Sequence, residues 1–174
     1  YVLTLAPGTF EIVKATPVID WENPDDITYG TALSEEVQLN ATANVGEEEV
    51  VGTFVYTPAA GTVLNAGDEQ ELSVTFTPTD TLNYNTVEST VFINVDPAEL
   101  EVEAGEKSKE YLADDPALTF TVSGLVNGDV EGDVITGALV REVGELADTY
   151  AILQGTLLAG GNYNISYTPG TFTI

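Results

Sequence analysis

Apolar and polar residues alternate along this chain in short stretches separated by Pro, Gly, Asn and Asp. Leu72-Ser73-Val74-Thr75-Phe76, Val37-Gln38-Leu39-Asn40-Ala41 and Val91–Val95 follow this rule in the first half, and Gly52–Tyr56 reads as a further short strand. Leu118-Thr119-Phe120-Thr121-Val122 and Tyr163-Asn164-Ile165-Ser166-Tyr167 follow it in the second. A period of two puts successive side chains on opposite faces of a strand, so each stretch predicts a half-buried β-strand. Punctuation by Pro58, Gly61 and Pro78 spaces these strands as a β-sandwich does. One stretch departs from the pattern. Val126, Val130 and Val134 recur at every fourth position, which predicts a short helix capped by Asp129, although Gly128 and Gly132 weaken it. The expected fold is all-β, with at most one short helix, in the second half.

The ends of the chain carry a repeat. Tyr1–Ile12 reads YVLTLAPGTFEI and Tyr163–Ile174 reads YNISYTPGTFTI, so Tyr, Pro, Gly, Thr, Phe and Ile coincide at an offset of 162 residues. An in-register match at both extremities is the signature of a tandem array. It predicts that residues 1–14 are the last strand and linker of a preceding repeat. Two seams divide the remainder. One lies at Lys14–Pro17, and the other at Asp96-Pro97, where proline interrupts a strand pattern that resumes at Leu100-Glu101-Val102. The expected modules are residues 15–95 and 96–174, joined by seams too short to act as loose tethers.

Charge narrows the partners. The sequence holds 29 acidic and 4 basic side chains, a formal net charge of −25, and residues 16–96 contain no Lys or Arg. Such a field repels phosphate backbones and anionic lipid, so nucleic acid is excluded as a partner. No apolar run approaches the ~20 residues that cross a bilayer, which argues against membrane insertion. Tyr1–Thr4 lacks the basic region and cleavage site of a signal peptide, so any export signal or anchor is expected elsewhere. Cysteine is absent, which removes disulfides and leaves the compartment open.

The second module resembles the MBG (mostly β-grasp) domain of large bacterial surface proteins. The residues that carry the likeness are Lys109-Glu110-Tyr111, Asp115-Pro116-Ala117-Leu118, Ser123–Asp129, Thr136-Gly137-Ala138-Leu139, Arg141-Glu142, Gly144-Glu145, Thr149–Ile152, Gly155-Thr156-Leu157 and Asn162-Tyr163. That family usually places Gly after the tyrosine, where this chain has Leu112, so a different backbone conformation is expected at that turn. Residues 15–95 resemble the bacterial Ig-like repeats that alternate with such domains, through Ile27-Thr28-Tyr29-Gly30-Thr31-Ala32-Leu33, Gly52–Leu64 and Leu72–Tyr84, with Glu47-Glu48-Glu49 lengthening one loop. The resemblances imply an Ig-like sandwich followed by a β-grasp-like domain in an extracellular array, at a cell surface or secreted, without catalytic residues.

The residues themselves offer little for catalysis. With no His and no Cys, the usual nucleophile–base pairs cannot be assembled. Calcium is the candidate cation, because it takes six to eight oxygens from carboxylates, carbonyls and water. Asp20, Glu22, Asp25 and Asp26 follow the first seam, and Asp96 and Glu99, with Glu101 and Glu103, follow the second. Asn127–Asp133 imitates the first half of an EF-hand loop through Asp129, Glu131 and Asp133, but Ala138 stands where the bidentate Glu belongs. Ordinary solvated charge accounts for the same residues, and no cofactor is required. Trp21, Tyr29, Tyr56, Tyr84, Tyr150 and Tyr163 fall on alternating stretches and are expected in packed or half-buried positions rather than in a sugar-stacking patch. The expectation is a structural spacer that contacts neighbouring repeats of its own chain. The alternative is an adhesive module for a glycan or cell-surface protein, with calcium as its cation.

Overall fold

The computed structural model describes residues 11–174, which are almost entirely β, with a single four-residue helix at Glu131–Val134. The amino-terminal copy of the terminal repeat, residues 1–10, lies outside the described residues. The chain forms two compact units that interleave along the sequence: one takes the described residues up to Pro24 with Ser34–Ala60 and Glu71–Phe92, the other Asp25–Leu33, Gly61–Gln70 and Ile93–Ile174.

In the first unit Val18–Asp20, Thr42–Val45 and Glu48–Glu49 form an antiparallel ribbon, and Gly52–Thr57 pairs antiparallel with Ser73–Pro78, the end of the long strand Gly67–Pro78 that lies in this unit. Phe54 stands opposite Phe76 and Tyr56 opposite Val74. Buried Phe76, Ala43 and Val50 form the core, with Ile19, Phe54, Tyr84 and Val87 packed around it. The stretch Val37–Ala41 is not the strand its alternation predicts. Glu35–Gln38 is a turn, because Ser34 Oγ accepts the Val37 amide while Gln38 Oε1 accepts the Ser34 amide at 3.0 Å. Such local side-chain bonds offer the backbone an alternative to a sheet ladder.

In the second unit Ala98–Ala104 is central. Phe120–Ser123 runs antiparallel on one side of it and Tyr163–Thr168 parallel on the other. Every second residue, Ala98, Leu100, Val102 and Ala104, is buried, while Glu99, Glu101 and Glu103 face water. The strand predicted at Leu118 starts two residues later, at Phe120, because its partner ends at Ala104, directly opposite. A second sheet lines up Val140–Arg141, Thr149–Leu153, Gly170–Thr173 and Lys107–Ser108. Tyr163 and Phe172, identical in both copies of the terminal repeat, are buried in the two cores of this unit.

The helix is one turn, and the every-fourth-residue stripe is not its basis. Val134 is buried and Val130 is exposed, and the extended Val130, not Asp129, stands at the cap position without any side-chain cap bond. Left-handed Asn127 (φ 55°) and Gly128 (φ 77°) turn the chain just before it. A four-residue helix cannot repay its own nucleation, so it persists through burial of Val134.

Leu112 overturns a second expectation. It keeps the left-handed conformation that glycine would supply, at φ 70° and 80% exposed. A non-glycine residue there costs about 1–2 kcal/mol, of which the extra chain freedom of glycine returns about 0.5–1 kcal/mol. Leu112→Gly is therefore expected to stabilise the protein by about 0.5–1 kcal/mol, read as a higher urea midpoint at an unchanged slope. A lower midpoint would show that Leu112 contributes a contact worth more than the strain.

Candidate functional site

The carboxylates singled out for calcium are dispersed. Asp20 ends a strand, Glu22 and Asp25 lie in an exposed loop, and Asp26 Oδ1 accepts a bond from Asn94 Nδ2 at 2.9 Å. Asp96 ends its strand, Glu99 lies on the solvent face of Ala98–Ala104, and Glu131 and Asp133 are exposed on the helix. Among the described residues no three carboxylates converge as ligands for one metal ion.

Asp129 has a different setting. Its Oδ2 accepts the hydroxyls of Tyr29 at 2.9 Å and Tyr163 at 2.7 Å, and both phenols are buried. Asn127 Nδ2 donates to Tyr29 Oη, and the Val126 amide donates to Tyr163 Oη at 3.1 Å. The rings meet edge to face, 5.4 Å apart. Burial pushes the Tyr163 phenol above its ordinary range, and its bond to Asp129 adds to the effect. The second unit thus gathers one polar knot from residues 100 positions apart in sequence.

A second cluster was not singled out from the sequence, although its members lie within the motif residues. Among the described residues all four ion pairs fall here. Lys109 Nζ lies 2.7 Å from Asp115 and 2.6 Å from Glu145, and Arg141 reaches Asp115 through Nε at 2.6 Å and Glu145 through Nη2 at 2.5 Å. Arg141 Nη1 donates to the carbonyls of Glu142 and Gly144, and its guanidinium lies 4.8 Å from the Phe172 ring centre. The Lys109 side chain is 5% exposed. The detectable signal was scarcity: in a sequence with 29 acids and four cations, a buried cation must find carboxylates.

The electrostatics are those of fixed charges. Hydrogen bonds from Arg141, then from Lys109, hold Asp115 at about 2, below its ordinary 3.8. Lys109, then Arg141, lowers Glu145, and Asp115 first raises both cations. The four ion pairs join the loop of Lys109 and Asp115 to that of Arg141 and Glu145 as a clamp. Because the folded value of Asp115 is depressed, its contribution to stability is present above pH 3.8 and is lost as the pH falls to about 2. Acid unfolding of the native protein should gain steepness in that window, and Asp115→Asn should abolish the extra steepness. An unchanged acid profile in Asp115→Asn would show that the clamp contributes nothing to folding.

No curated protein and no solved structure matches the chain. The family model of the MBG domain (YGX type) matches residues 100–173. Those residues include the clamp, Asp129 and Tyr163, and the turn at Tyr111-Leu112 that departs from the family's glycine. The likeness to the MBG domain carried by the motif residues is thus shown over residues 100–173.

Proposed function

We propose that the chain is a non-catalytic spacer of a large bacterial surface or secreted adhesin, an Ig-like module and an MBG domain that form one period of a tandem array. MBG domains occur in bacterial surface proteins, and the terminal repeat with its 162-residue offset is the observation that carries the reading. The array's acids keep it soluble and self-repelling, and its short seams leave little slack between modules. Small-angle scattering of proteins with one, two and three periods tests this: the largest dimension should grow by a constant increment per period. A dimension that saturates would remove the extender role. Thermal melts at matched ionic strength should rise equally with sodium, magnesium and calcium, as screening of surface charge requires. A rise specific to calcium, saturating below millimolar, would make the ion a structural ligand.

One observation favours the adhesive alternative. Phe54 and Tyr56, with Trp21 edge-on to Tyr56 at 5.4 Å, line an open cleft with Glu35, Asn40 and Thr53. Aromatic faces beside a carboxylate and an amide are the groups that hold sugars. A glycan array probed with the native chain and with Tyr56→Ala separates the readings: binding lost in the variant identifies an adhesin module.

A further inference from the structure

The two loops tied by the Lys109–Asp115–Arg141–Glu145 clamp carry large apolar side chains into water. Val143 is 100% exposed and Leu146 73%, and Tyr111 and Leu112 are exposed on the other loop. This tip is also where the chain leaves the MBG domain. The Ile174 amide donates to Asp148 O at 2.9 Å, and the Lys109 amide donates to Thr173 O at 3.0 Å. Four charges hold these loops in place, so the apolar side chains are presented by a fixed scaffold.

The terminal repeat identifies the segment that succeeds such a tip in an array. Ile174 corresponds to Ile12, so the counterpart of Ala15 in the next period stands three residues beyond it. Three residues span at most about 10 Å. In the first unit Ala15 bridges to Tyr84: its amide donates to Asn83 O at 2.8 Å and its carbonyl accepts the Asn85 amide at 2.9 Å. The adjoining turn is fixed by Asp80, which accepts the Leu82 and Asn83 amides, and it holds Leu82 84% exposed. A leash this short brings that turn, and the exposed Val13 beside Ala15, to the loops that carry Val143 and Leu146.

We propose that the clamped tip of the MBG domain is the seat of the following repeat, with Val143, Leu146, Tyr111 and Leu112 covered by Val13 and Leu82 of the next copy. The contact is heterologous, head to tail, and so propagates along an open array without closing. It rests on the spacer reading and gives it a joint: apolar contact fixes the angle at which each period leaves the last.

The test uses two periods, the full chain followed by a second copy of residues 13–174. The sequence contains no cysteine, so introduced thiols have no competitors. Leu146→Cys in the first copy is combined with Leu82→Cys in the second and treated with a short bis-maleimide. The control pair combines Leu146→Cys with Val55→Cys, another exposed position, in the second copy. Melts of the unreacted proteins verify that both pairs fold. Docking predicts that the Leu82 pair couples at least about tenfold faster, as a raised effective concentration requires, and that Val143→Glu erases the difference. Equal rates, or coupling of neither pair, overturn the joint. Scattering on the same two-period protein keeps the failures apart. If it is longer than one period without selective coupling, the extender stands and the joint falls; if it is no longer than one period, the extender reading falls.

Discussion

Asp129→Ala is expected to lower the stability of the protein by about 2–4 kcal/mol, because two buried phenols lose their shared acceptor. Tyr163 retains a carbonyl within reach, Val126 O at 3.2 Å, so its loss is the smaller one. For Tyr29 the structure records Asp129 Oδ2 as the acceptor of its hydroxyl and Asn127 Nδ2 as a donor to it. Removing the acceptor leaves a desolvated donor, which costs more than removing both partners together. Tyr29→Phe should therefore cost only about 1 kcal/mol, and the double variant Tyr29→Phe/Asp129→Ala should be less destabilised than the two single effects added. Urea unfolding followed by far-ultraviolet circular dichroism measures all three. If Asp129→Ala shifts the midpoint no more than Glu103→Ala, on the exposed face of its strand, the knot is decorative and the residue belongs with the solvated acids.

Gly137→Ala should be comparably damaging, at about 3–5 kcal/mol, for a purely backbone reason. Gly137 sits at φ +93°, and a Cβ there would lie 2.1 Å from the carbonyl oxygen of Thr156. That oxygen is backbone and cannot swing away. The segments are held together by the Thr156 amide donating to Ala138 O at 3.0 Å and by the Ala138 amide donating to Thr156 Oγ1 at 3.1 Å. The neighbouring ribbon, Ile135–Thr136 with Leu158–Ala159, depends on the same approach. Gly161→Ala is the matched control: an added Cβ there has nothing within 4 Å, so its effect should stay within about 0.5 kcal/mol. Equal midpoints for the two variants would mean that the Thr136–Ala138 turn can open at no cost.

The class of this protein is legible along the chain. Strict alternation over Leu72–Phe76 and Tyr163–Tyr167 became buried-face strands, because a period of two is a local property that the pleat converts directly into one wet and one dry face. The motif residues from Lys109 to Tyr163 carried the likeness to the MBG domain that the family match over residues 100–173 shows. Alternation failed at Val37–Ala41, where Ser34 and Gln38 close a turn on themselves, whereas the stripe over Val126–Val134 marked the short helix, which left-handed Asn127 and Gly128 confine to the single turn Glu131–Val134.

Which distant residues meet is settled only in three dimensions. Asp129 presented as a helix cap or a calcium ligand, yet it serves two tyrosines, one of them 100 residues away. Lys109, Asp115, Arg141 and Glu145 were each visible as motif letters, but nothing along the chain says that two cations share two carboxylates. Leu112 promised a changed turn and instead keeps the left-handed one, in a loop whose two ends, Lys109 and Asp115, form an ion pair. Periodicity is written in neighbours along the chain, whereas charge pairing and buried hydrogen bonds depend on neighbours in space, which exist only after the sheets have paired.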